Sequence, residues 1–193
     1  MFSWTEIKRN LQGCLDVALF MPQARDRFGN SAEEALRSFV VPILLFPLTL
    51  LMIYASHGQF LSHASENTIA LLYSLRLALS WALFLGSVYW LLKRVDRHKH
   101  FCQFVVASNW LSLPATIVFI PVLWMVLDGS HSWAQLYPLM ACLTIYTCCF
   151  TAFMAARILR IPWELAGFIS LIGLYINDNT MNIAHWVGTV LQS

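Results

Sequence analysis

Apolar positions recur along this chain in two ways. Between residues 4 and 18 they come at every third or fourth place, as Trp4, Ile7, Leu11, Leu15 and Ala18, while Lys8, Arg9, Gln12 and Asp16 take the other side. That spacing predicts an amphipathic helix. Its start is marked by Ser3 and Glu6, which fit a capping box, and by Phe2 and Ile7 at the staple positions; Pro22 ends the run. From residue 35 onward the apolar positions follow one another almost without interruption. Crossing about 30 Å of hydrocarbon takes roughly 20 apolar residues in a helix, and five stretches qualify. They run from about Ala35 to Ala55, Thr68 to Leu92, Phe101 to Leu127, Trp133 to Ala156 and Ile161 to Ile176. Pro42 and Pro47 should bend the first, which follows a second capping box at Ser31 and Glu34. The fifth is the shortest and ends at Asn177-Asp178-Asn179, so it either stops there or extends toward Trp186.

Spans this continuous lack the alternation of an outer-membrane barrel strand. In lipid every backbone N–H and C=O must find a partner within the segment, which leaves helices. The expected fold is all-α: a polytopic helical membrane bundle of five transmembrane helices (residues 31–193) preceded by an interfacial helix and linker (residues 1–30). Composition agrees. Of 193 residues, 59% are hydrophobic and 11% carry charge, against about 25% charged in an ordinary soluble domain; the mean hydropathy is +0.63. Such a composition excludes a disordered protein, a disulfide-stapled module and a nucleic-acid binder with a basic face.

Charge sets the expected orientation. Lys8, Arg9, Arg25, Arg27 and Arg37 precede or open the first span, Lys93, Arg94, Arg97 and Lys99 fill the loop after the second, and Arg157 and Arg160 follow the fourth. Eleven of the twelve basic residues thus fall on one side, which the positive-inside rule makes cytoplasmic. The amino terminus is then inside a bacterial cytoplasmic membrane and the carboxyl terminus outside. Asn10, Gln12 and Asp16 interrupt the apolar run that a cleaved signal peptide needs, so the amino-terminal segment is expected to stay. The amphipathic helix either lies in the membrane plane, with Trp4 and Leu11 in the interface and Lys8 and Arg9 at anionic headgroups, or packs on the cytoplasmic ends of the bundle.

Few residues carry candidate chemistry. Arg76 is the one charge inside the second span, placed about 8 Å below the outer interface by helix rise. It would contact an anion or substrate in an outward-facing cavity, or else serve as a snorkelling or interhelical residue bonded to Tyr137, Thr144 or Asp128. Asn109, with Ser108 and Ser112, makes a polar patch before Pro114 that suits bonding between helices. Glu164 stands four residues after Arg160, the spacing of an intrahelical ion pair. Lys93, Arg94, Arg97 and Lys99 could hold anionic lipid headgroups. His57, His63, His131 and His185 fall on the outer side, but their spacing matches no metal motif, so no metal or cofactor is assigned. Cys148 and Cys149 lack the two-residue spacer of a redox pair. No nucleophile elbow, phosphate loop or paired-carboxylate motif appears, so no catalytic residue is named.

The stretches Arg27-Phe28-Gly29-Asn30-Ser31, Arg37-Ser38-Phe39 and Ser108-Asn109-Trp110 resemble a pattern in uncharacterised bacterial five-span inner-membrane proteins, which in turn resemble the Yip1 domain. The likeness covers roughly residues 25 to 185. It implies a non-enzymatic five-helix module that acts through partners in membrane organisation and trafficking, and the leading expectation for this chain is a non-catalytic protein that works by association with itself, membrane lipids or other membrane proteins. The alternative expectation is a small transporter or channel subunit that uses Arg76 and Asn109.

Overall fold

The computed structural model of the chain describes residues 3–57 and 66–190, with side chains over 3–51 and 67–190. Phe2 and His63 lie outside the described residues, as does the His57 side chain. Every regular element among them is helical: α1 (Trp4–Ala18), α2 (Ala32–Ser38), α3 (Val40–His57), α4 (Glu66–Arg94), α5 (Phe101–Leu127), α6 (Trp133–Leu159) and α7 (Trp163–Val190), with 3-10 turns at Pro22–Arg27 and His98–His100. Four segments are long and apolar enough to cross a membrane: Ala32–Leu51, Asn67–Arg94, His98–Leu127 and Trp133–Leu159. The chain is an all-helical bundle of integral-membrane character.

The first apolar stretch is not one bent helix. It breaks at Phe39 into α2 and α3. Pro42 has no N–H to give the Ser38 carbonyl, and its ring crowds that same carbonyl, so α2 ends at Ser38. Both expected capping boxes form only in part. Ser3 accepts from the Glu6 N–H at 3.1 Å, but the Glu6 carboxylate turns instead to Arg37, at 3.4 Å. Ser31 likewise accepts from the Glu34 N–H, and Glu34 takes Arg9 at 2.7 Å. A complete box stands at Ser132 and Gln135, opening α6.

The fifth apolar stretch continues as one helix from Trp163 to Val190, without a stop at Ile176. Over its whole length α7 rises about 42 Å, ample for a crossing. It is not among the four apolar segments because Asn177, Asp178 and Asn179 sit at its middle. Nothing obliges polar residues to break a helix whose side chains find partners.

One end of the bundle carries α1, α2 and both 3-10 turns. There α1 lies across α5, tied to α2 by the Arg9–Glu34 and Glu6–Arg37 pairs. Its other end reaches α6, where the Tyr146 hydroxyl donates to the Ala18 carbonyl at 2.8 Å and Phe20 packs edge-on against Phe153. The face of α1 that packs is Asn10, Gly13, Cys14 and Val17. Trp4, Leu11 and Leu15 are exposed, with Trp4 at 78%. The apolar stripe read from the sequence is therefore not the docking face. Small residues make that face, because they let α1 approach closely: a Cβ on Gly13 would come within 2.7 Å of the Phe28 ring.

Candidate functional site in the bundle interior

The same end holds the continuous core. Val88 and Leu92 of α4, Phe104 to Ala107 of α5, Ala155, Ile158 and Leu159 of α6, and Ala166 and Ile169 of α7 all pack there with Cys14 and Val17. At the far end, among the described residues, a smaller cluster of Ile69 and Tyr73 is surrounded by Leu50, Leu72, Leu77 and Met181, and Val122, Leu123, Leu136 and Ala184 are buried as well. Between α4, α5, α6 and α7 a cavity of about 770 Å³ opens in the half away from α1. It follows α7 from Ser170 to Met181, which at the helical rise is about 16 Å.

Arg76 lines this cavity and is 5% exposed. It stands ten residues into α4 and bonds to the middle of α7. By helix rise that is about 15 Å from the start of α4. The helix starts two residues before the expected Thr68. The partner of Arg76 differs from those expected. One guanidinium nitrogen, Nη2, donates to the Asn177 carbonyl at 2.7 Å and to Asn177 Oδ1 at 2.6 Å. Tyr137 and Thr144 line the same cavity without a hydrogen bond to Arg76 among those of the described residues, and the Asp128 carboxylate accepts from the Ser130 N–H instead. The Arg76 Nε and the hydroxyl of Tyr73, one turn earlier, are buried with no hydrogen-bond partner among the described residues. No carboxylate lies within ion-pair distance of Arg76 among the described residues. A guanidinium stays protonated under all ordinary conditions, so the cavity wall carries an uncompensated positive charge.

The rest of the wall is mainly apolar, with a line of hydroxyls. Thr49, Thr144 and Thr147 each donate to the carbonyl four residues back in their own helix. With their protons so engaged, these oxygens have only lone pairs to offer. Ser108 and Ser112 also line it, while Asn109 does not. Asn109 is 3% exposed on the adjacent face of α5, where its Nδ2 donates to Ser38 Oγ at 2.8 Å and Ser38 donates onward to the Ala35 carbonyl. The structure thus divides the polar patch before Pro114. Its serines face the cavity and its asparagine fastens α5 to α2.

The other sequence candidates lie elsewhere. Glu164 is exposed in the first turn of α7, and no ion pair joins it to Arg160 among the described residues. Arg160 ends α6 in a left-handed conformation at φ 55°, so the two are not on one helix and the four-residue spacing loses its meaning. At the start of α7 a carboxylate instead complements the helix dipole. Lys93, Arg94, Arg97 and Lys99 are exposed around the turn into α5, and the Arg94 guanidinium rests 5.0 Å above the Trp90 ring. Lys8 is exposed on α1, while Arg9 is occupied by Glu34. Cys148 faces the cavity and Cys149 is exposed.

Sequence reasoning missed Asn177 as the partner of Arg76. The run Asn177-Asp178-Asn179 reads as an interruption, yet a polar residue deep in an apolar stretch is also the signal of something to bond. Comparison with known proteins adds no relative: no family model, curated protein or solved structure matches the chain.

Proposed function

We propose that this chain is a five-crossing helical protein of a bacterial cytoplasmic membrane, acting as a small carrier or transporter whose ligand occupies the cavity at Arg76. One observation carries this: a buried arginine with no carboxylate beside it among the described residues forms part of the wall of a 770 Å³ cavity. Burying such a charge costs about 2.5–3.5 kcal/mol on insertion scales, and a volume of this size is that of a small-molecule site. The length of α7 supports the fifth crossing. Eleven basic residues gathered toward the α1 end support a cytoplasmic amino terminus. The core closes the cavity on that side, so access is from the outer half.

The test needs no knowledge of the ligand. In a variant that keeps Cys148 and replaces the other four cysteines by serine or alanine, a membrane-impermeant thiol reagent added outside should label Cys148. Absence of labelling in the folded protein would reject an outward-accessible cavity. A reporter fused after Ser193 should be active only outside the cytosol.

A second role, association with lipids or membrane partners in the manner of Yip1-type proteins, is favoured by the exposed Trp4, Leu11 and Leu15 of α1. With Ala18 bonded at the midpoint of α6, that stripe meets the lipid of the inner leaflet. Lys8 and the Lys93–Lys99 turn would take its headgroups.

A further inference from the structure

We infer that the cavity seats an amphiphile with a single anionic group, a carboxylate or a phosphate ester, bound by that group at Arg76 with its apolar tail along α4 toward Phe84; this rests on the cavity being the working site. The charge decides the sign of the ligand. A fixed guanidinium repels cations, and its present partners, the two oxygens of Asn177, are neutral. Arg76 Nη1 makes no hydrogen bond among the described residues and, unlike Nε, is not fully buried, which leaves a donor open to a ligand on a side chain nineteen-twentieths buried. One arginine serves one anionic group, a carboxylate or a phosphate in its monoanionic form matching its charge best, and threonine oxygens whose protons are engaged offer a second anion nothing.

The walls decide the rest. Leu77, Leu111, Phe150, Met154 and Leu174 line the cavity beyond Arg76, and a small hydrated ion would leave them facing water. A tail covers them. From Arg76 to Phe84 the rise along α4 is about 12 Å, the length of roughly ten extended chain bonds. Phe84 forms the floor. Its ring lies against Phe104, centroids 6.1 Å apart, and close over Gly173, where a Cβ would sit 3.1 Å from it. Tails longer than about ten carbons should therefore gain nothing further.

The experiment uses the full chain in a neutral sugar detergent and follows its thermal midpoint with decanoate, decyl phosphate, decanol and acetate. Decanoate or decyl phosphate should raise the midpoint saturably, decanol and acetate should not, and the better of the two anions identifies the headgroup chemistry. Arg76→Gln should weaken the anion by about tenfold or more, the loss of a charged hydrogen bond. Ala115→Phe, which fills the cavity and leaves Arg76 in place, should also abolish the shift, and it serves if the first variant does not fold. If decanol matches decanoate and both effects vanish in Ala115→Phe, the anionic class is wrong and the cavity site stands. If the anion effect persists in both variants, the class and the site both fall. No saturable shift with either anion in the unaltered protein overturns the inference as well.

Discussion

The two halves of this bundle are built from the same apolar alphabet and packed to opposite ends. In the half that carries α1, buried side chains from every helix, α1 through α7, join one core, and Phe104, Ile158 and Ile169 are excluded from the surface altogether. In the other half α4 stands away from α6, and the space between holds a cavity with a charge in its wall. Lipid offers little hydrophobic drive for helices to associate, so close contact and interhelical hydrogen bonds must hold a membrane bundle together. The first half supplies the contact. The second half holds the cavity, and two of the helices that form it, α4 and α7, are joined by Arg76 and Asn177.

The largest test of that division is a pair of truncations. Phe104→Ala should cost about 3–5 kcal/mol, the range for a buried phenylalanine, whereas Leu174→Ala on the cavity wall should change stability by no more than about 0.5 kcal/mol. Equal losses in a denaturant titration would show that the halves are not mechanically distinct. Next in size is Asn10, which is 1% exposed with both side-chain amide atoms unpaired. Asn10→Leu should stabilise the α1 end by about 1 kcal/mol, since a buried polar group without partners is a net cost; a lower thermal midpoint would mean that the amide is satisfied. Asn109→Ala should cost about 0.6 kcal/mol, an ordinary interhelical bond in a membrane, and should leave ligand binding at the cavity unaltered. The smallest effect is chemical. Burial pushes the Cys14 thiol up to about 12, so at pH 8 it stays protonated, and a thiol reagent that labels Cys148 should leave Cys14 unmodified while the protein is folded.

The helices were legible because span length and apolar runs are properties of the residues themselves. The docking face of α1 was not. Its 3.6-residue period identifies an apolar stripe but not what the stripe meets, and Gly13, Cys14 and Asn10 carry no strong hydropathy. Arg76 was visible as an anomaly, but its partner lies 101 residues away. The cavity has no sequence signature, because it arises where α4 and α6 stand apart. Arg160 shows a further limit: pairing Arg160 with Glu164 by spacing presupposes one helix, and a single left-handed residue removes the premise.

The bond from Tyr146 to Ala18 joins residues 128 positions apart. During synthesis α1 leaves the ribosome long before α5 and α6 exist to receive it. α1 is thus among the last of these helices to reach its seat, and its docking face of Asn10, Gly13, Cys14 and Val17 waits without partners until the later helices are made.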